Sequence, residues 1–184
     1  MRAVMTLGLM GYILIAPRLF AQYASEALWF TLPTFQPETP ALYEAGTLAI
    51  FEERFDDAAD IFTEIIRRDS LDAEAWRLRG WIHQRQSDTT EALRDFTEAI
   101  RRGTEPVEAW YSRALLRAES GDTAGALLDL NQVLDRKPRY VEALLDRGLI
   151  RVLAGRNDEG CMDWRLAKRL GYPYPKEWYS YCTH

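Results

Sequence analysis

Two cysteines, Cys161 and Cys182, and two histidines, His83 and His184, are the residues of this chain whose types most readily support chemistry. Two cysteines can hold a metal, run a redox cycle or staple the chain. A zinc site takes four nitrogen or sulfur ligands, more than these two cysteines supply. A redox pair usually has two residues between its thiols, whereas these lie 21 positions apart. His83 falls on the packing face of a helical pattern, which suits a core or boundary residue better than a base or ligand, and His184 is the terminal residue. No glycine-rich phosphate loop, His-Glu-x-x-His helix or nucleophile elbow occurs. The acid pairs Glu52-Glu53 and Asp56-Asp57 sit at a turn, where carboxylates beside a helix N-terminus are ordinary. The expectation is therefore a chain that is not an enzyme and carries no cofactor or metal. For the cysteines, a disulfide, two free thiols and a metal or redox role stay open until the elements between them are known.

Composition narrows the class of partner. A chain of 184 residues at 47% hydrophobic can bury a core, and its net charge of -5 comes without any run of basic residues. That balance argues against nucleic acid as a partner. Residues 1–21 combine an early Arg2, an apolar run from Ala3 to Ala16 and a small residue at Ala21. The run is shorter than the roughly 20 residues that cross a bilayer, and it fits the apolar core of a secretory signal cut after Ala21. Contact with a membrane is expected only if that segment stays uncleaved. The implied location is periplasmic or extracellular, where disulfides persist.

The rest of the chain is organised by a repeat. AEAWRLRG at 73–80 recurs as VEAWYSRA at 107–114 and VEALLDRG at 141–148, each time 34 residues on. A second match follows each: EALRDFTEAI at 91–100, GALLDLNQVL at 125–134 and GCMDWRLAKR at 160–169. A weaker first copy reads ALYEAGTLAI at 41–50 and DAADIFTEII at 57–66. Apolar and small residues fall three, four and seven apart within each match, and breakers such as Gly121-Asp122, Pro106 and Pro138 separate them. Each copy is read as a hairpin of two helices. The organisation is a signal at 1–21, a linker at 22–38, hairpins at 39–72, 73–106, 107–140 and 141–172, and a capping helix with tail at 173–184. The fold class is all-α, an α-solenoid of four hairpins.

These residues resemble the tetratricopeptide repeats. Trp76, Gly80, Ala92, Phe96 and Ala99 meet that family's large, small, alanine, aromatic, alanine pattern, and so do Trp110, Ala114, Ala126 and Pro138. Departures fall at the ends: Leu42 and Leu144 replace the tryptophan, Gly160 the alanine and Ser70 the proline. The resemblance implies a superhelix whose inner wall is made by the first helix of each copy and binds a peptide segment or protein. Carried onto matching positions, the wall holds Tyr43, Thr47 and Ile50, then Arg77, Trp81 and Arg85, then Tyr111, Leu115 and Glu119, then Leu145, Leu149 and Val152. Trp81 and Tyr111 between Arg77 and Arg85 have the composition of binding hot spots. The Lys and Asn clamp that some relatives use for chaperone tails is absent, since Tyr43 and Thr47 stand in its place. The function expected is a non-catalytic scaffold. The alternative is a structural component of an envelope assembly that uses its outer surface.

Comparing copies adds two expectations. Arg79, Arg113 and Arg147 recur in step with Asp95, Asp129 and Asp163, and the first copy has Ala45 and Ile61 instead. Loss of both together favours pairing inside each hairpin over solvated charges. In the fourth copy, Leu145, Leu149 and Val152 exceed what one hairpin covers, so an external partner, a second copy of the chain or segment 24–35 is needed over them. Finally, Gly171 ends the last helix midway between the cysteines, and Pro175 can start a closing helix with Trp178 and Tyr181 as plugs. Two antiparallel helices rising about 1.5 Å per residue bring Cys161 and Cys182 to similar heights, which favours a disulfide over free thiols or a metal or redox site.

Overall fold

The computed structural model describes residues 38–172 and 175–182. The expected signal, residues 22–37 of the linker, the covering role of segment 24–35 and His184 lie outside the described residues. Among the described residues are eight α-helices: α1 Glu38–Phe51, α2 Phe55–Arg68, α3 Ala73–Arg85, α4 Thr89–Arg102, α5 Val107–Glu119, α6 Thr123–Arg136, α7 Val141–Leu153 and α8 Asn157–Arg169. A 3-10 helix, Lys176–Cys182, closes the chain. Each helix packs on the one before and the one after it, which makes an all-α solenoid.

Position in this stack explains the two sequence patterns. The second helix of a copy buries one face: Ala92, Phe96 and Ala99 in α4, and Ala126, Leu130, Val133 and Leu134 in α6. The first helix lies between its own partner and the previous hairpin, so its buried residues wrap further round, as with Val107, Ala109, Trp110, Ala114 and Leu116 in α5. Small residues set the approach inside a hairpin. A Cβ built on Gly160 would lie 2.5 Å from the Gly148 carbonyl oxygen, and one on Gly148 would run into the Trp164 indole.

Hairpin turns repeat one geometry. Glu53, Ser87, Gly121 and Gly155, 34 apart, all have positive φ, and the residue after each donates its N–H to the carbonyl five back, as Asp122 does to Arg117 at 2.8 Å. This is the Schellman ending, which favours glycine. Asp88 and Asp122 then cap α4 and α6 through Glu91 and Gly125 N–H groups. Arg54 and Arg156 hold the same place before α2 and α8 and pair instead with Asp57 and Glu159. The helix α4 stops at Arg102, and Pro106 stands as the residue before α5.

The recurring charges pair inside each hairpin. Arg79 donates to Asp95 at 2.7 and 2.8 Å, Arg113 to Asp129 at 2.9 and 2.8 Å, and Arg147 to Asp163 at 3.0 and 2.7 Å. The same guanidiniums reach back to the preceding hairpin, donating to Thr63 at 3.0 Å, Thr97 at 3.0 Å and Asn131 at 2.7 Å. One residue type thus fixes both the hairpin and its junction with the previous copy.

Candidate functional site

The wall expected from the first helices is built by α1, α3, α5 and α7, and packing uses much of it. The Tyr43 hydroxyl donates to Asp72, the N-cap of α3, at 2.8 Å. The Tyr111 hydroxyl donates to Asp146 on α7 at 2.7 Å, and its ring meets Tyr140 edge-on at 5.2 Å. Burial, then the carboxylate partner, pushes both phenols well above the ordinary tyrosine range. Burial also raises the Asp146 carboxyl, an effect the Tyr111 hydroxyl opposes. These tyrosines tie successive first helices together, with rings half-buried.

Trp81 takes a different arrangement. Its ring lies edge-on to Phe55 at 6.2 Å, and the Arg85 guanidinium carbon is 5.8 Å from the Trp81 centroid and 5.9 Å from that of Phe55. Trp81 is half-buried and Arg85 exposed, so this cluster keeps open surface. Arg77 is bound by Glu74 at 2.5 Å and lines a recess with Glu74, Gly103, Pro106 and Glu108 between α3 and α5. Lys137 sits on Glu108 at 2.8 Å and holds that carboxyl below its usual range. Thr47 is exposed, its hydroxyl turned onto the Tyr43 and Glu44 carbonyls, and Leu115 is half-buried.

The fourth copy is covered by the chain itself. Val152 is buried with Cys161 and Trp164, and Leu145, Leu149, Trp178 and Cys182 pack against that cluster. Trp178 stacks on Trp164 at 4.5 Å, and Cys161 and Cys182 are joined with their Cα atoms 5.6 Å apart. Val152 therefore does not stand on an open wall, because the closing 3-10 helix occupies its approach. That element is one seven-residue 3-10 helix rather than an α-helix, and of the two expected plugs only Trp178 is inserted: Tyr181 is 47% exposed.

Sequence reading missed several partners. Asp72 and Asp146 carry no periodic signal as phenol acceptors. Thr63 and Thr97 do recur 34 apart, as do Arg117 and Arg151, which donate to Asp129 at 2.9 Å and Asp163 at 2.7 Å. His83 holds their place in the second copy, with Nε2 3.7 Å from Asp95 and a side chain mostly buried. Among the described residues no group of three His, Cys, Asp or Glu is placed to hold a metal, and no helix is long and apolar enough to cross a membrane.

A family model described as tetratricopeptide repeat matches residues 43–103, 79–137 and 111–164. The chain belongs to the tetratricopeptide repeat family. No curated protein matches it. Among solved structures, this tetratricopeptide array is similar to MamA, with a TM-score of 0.68 and 21% identity over 73% of this chain and 79% of that one. It is similar to a tetratricopeptide repeat protein from Parabacteroides merdae, with a TM-score of 0.67 and 26% identity over 71% of this chain and 52% of that one. It is also similar to YrrB, described as a TPR protein with an unusual peptide-binding site, with a TM-score of 0.62 and 18% identity over 86% and 79%. In tetratricopeptide terms, Trp81 and Arg85 are wall positions that retain exposure, whereas the fourth repeat's wall is capped.

Proposed function

We propose that this protein is an exported, non-catalytic scaffold whose wall of α1, α3 and α5 takes a peptide segment or protein. The observation that carries this reading is the Trp81, Phe55 and Arg85 cluster, an aromatic pair under a guanidinium that remains half open. Such groups supply rigid apolar area and directed donors, which is what recognition hot spots require. Thr47, Arg77, Tyr111 and Leu115 complete the wall, and Tyr43 borders it. The peptide site named for YrrB supports the class of partner. Export is supported by the joined cysteines and by the apolar N-terminal run.

A second reading rests on the outer surface. Leu128 and Met162, 34 apart on α6 and α8, are 64% and 55% exposed, and that pair suits contacts within an envelope assembly. A photo-crosslinking residue placed at Trp81 and, separately, at Leu128 distinguishes the two. Adducts to one discrete partner from position 81 and none from 128 support the wall; the reverse pattern overturns it.

A further inference from the structure

The two ends of the array are complementary, and one of them is closed. At each internal junction the third and tenth residues of a first helix are buried: Ala75 and Ile82, Ala109 and Leu116, Ala143 and Ile150. Their counterparts on α1, Ala41 and Leu48, are exposed, Leu48 by 53%. At the other end, Leu145 and Trp164 are the counterparts of Tyr111, whose hydroxyl is held by Asp146 of the following hairpin, and of Leu130, which is fully buried in the third copy. In the fourth copy the closing 3-10 helix covers them, through Trp178 and the Cys161 to Cys182 bond.

We infer that the disulfide-held cap blocks head-to-tail joining of this chain, and that its release exposes a docking surface for α1 of a second copy. The array shows its own occupant three times over, since α3, α5 and α7 each seat on such a surface. The charges agree. Internal junctions pair an arginine with Thr63, Thr97 or Asn131, and the next residue in that series is the exposed Arg165. An arginine on α1 would oppose Arg165; the residue there is Ala45. Such a contact is heterologous, so it extends into open chains of subunits unless its rotation closes a ring.

The release step needs a dithiol reductant. Cys182 is half-buried and Cys161 buried, so the reductant's thiolate attacks Cys182 Sγ, forms a mixed disulfide and expels the Cys161 sulfur, which takes up a proton. The second thiol then attacks the reductant's own sulfur, closing its disulfide and leaving Cys182 as a thiol. Two electrons and two protons pass to the two cysteines.

The test is sedimentation velocity of the full chain, oxidised and in excess dithiothreitol, with circular dichroism on each sample. The oxidised chain is expected at one chain mass, and the reduced chain at two or more with its helicity kept. The pair Cys161→Ser and Cys182→Ser should match the reduced chain without reductant. Leu48→Asp should return both to one chain mass. A reduced chain that stays single, equal assembly of the oxidised chain, assembly that survives Leu48→Asp, or loss of helicity on reduction each overturns the inference.

Discussion

Arg113 and Asp129 stand sixteen residues apart and meet as a two-pronged ion pair, while the third guanidinium nitrogen holds Thr97 of the previous hairpin. The Asp129 carboxylate is almost fully buried and also accepts from Arg117. A buried pair of this kind adds little net attraction but is costly to break on one side.

Asp129→Ala should therefore cost about 3–5 kcal/mol, by leaving two guanidiniums without their acceptor. Replacing Arg113 and Asp129 together by alanine should cost clearly less than the sum of the two single alanine changes. Urea unfolding of the four proteins in the cycle measures this, and zero coupling would refute the pairing as an energetic unit.

Tyr111→Phe should raise the Asp146 titration further, because the hydroxyl is the group that opposes its burial. An acid whose folded pKa lies above its unfolded value destabilises the fold when ionised. At pH 7 the substitution should cost about 1–3 kcal/mol, and the cost should shrink as pH falls through the folded Asp146 pKa toward the ordinary value of 3.8. Carboxyl chemical shifts against pH, with melting curves at matched pH, check both statements.

Ser87→Gly and Glu53→Gly should stabilise by about 0.5–1 kcal/mol each, since both residues occupy the left-handed conformation that Gly121 and Gly155 adopt without a Cβ. The opposite change, Gly121→Ala, should destabilise by a similar amount. Melting temperatures moving the other way would show that the side chains contribute more than the backbone geometry.

Ala126→Leu should destabilise by about 1–3 kcal/mol through overpacking against Ala114, both being fully buried. Gly148→Ala should cost more than Gly80→Ala. The former meets the Trp164 indole and the Gly160 backbone, while the latter meets side-chain atoms of Asp95 and Phe96 at 3.1 Å. Chemical denaturation of the two variants side by side gives the order.

The repeat was legible because a 34-residue period forces equivalent residues into equivalent packing. Helix starts at Ala73, Val107 and Val141, the turn glycines and the Arg to Asp pairs follow from comparing copies without any coordinates. The wall was less legible. Its positions follow from register, but their occupancy depends on neighbours that differ from copy to copy: Asp146 beneath Tyr111, Phe55 beside Trp81 and Trp178 over Trp164.

By itself, then, the amino-acid sequence determined the helical hairpins, their number and the small residues that let them close, since these depend on local periodicity and on side-chain size repeated in register. Tertiary structure alone decided which wall residues stay open, and that the fourth copy is sealed by a 3-10 helix rather than offered to a partner. Exposure is a property of everything packed around a residue, and the cluster around Val152 is completed by Trp178 and Cys182 from beyond its own hairpin.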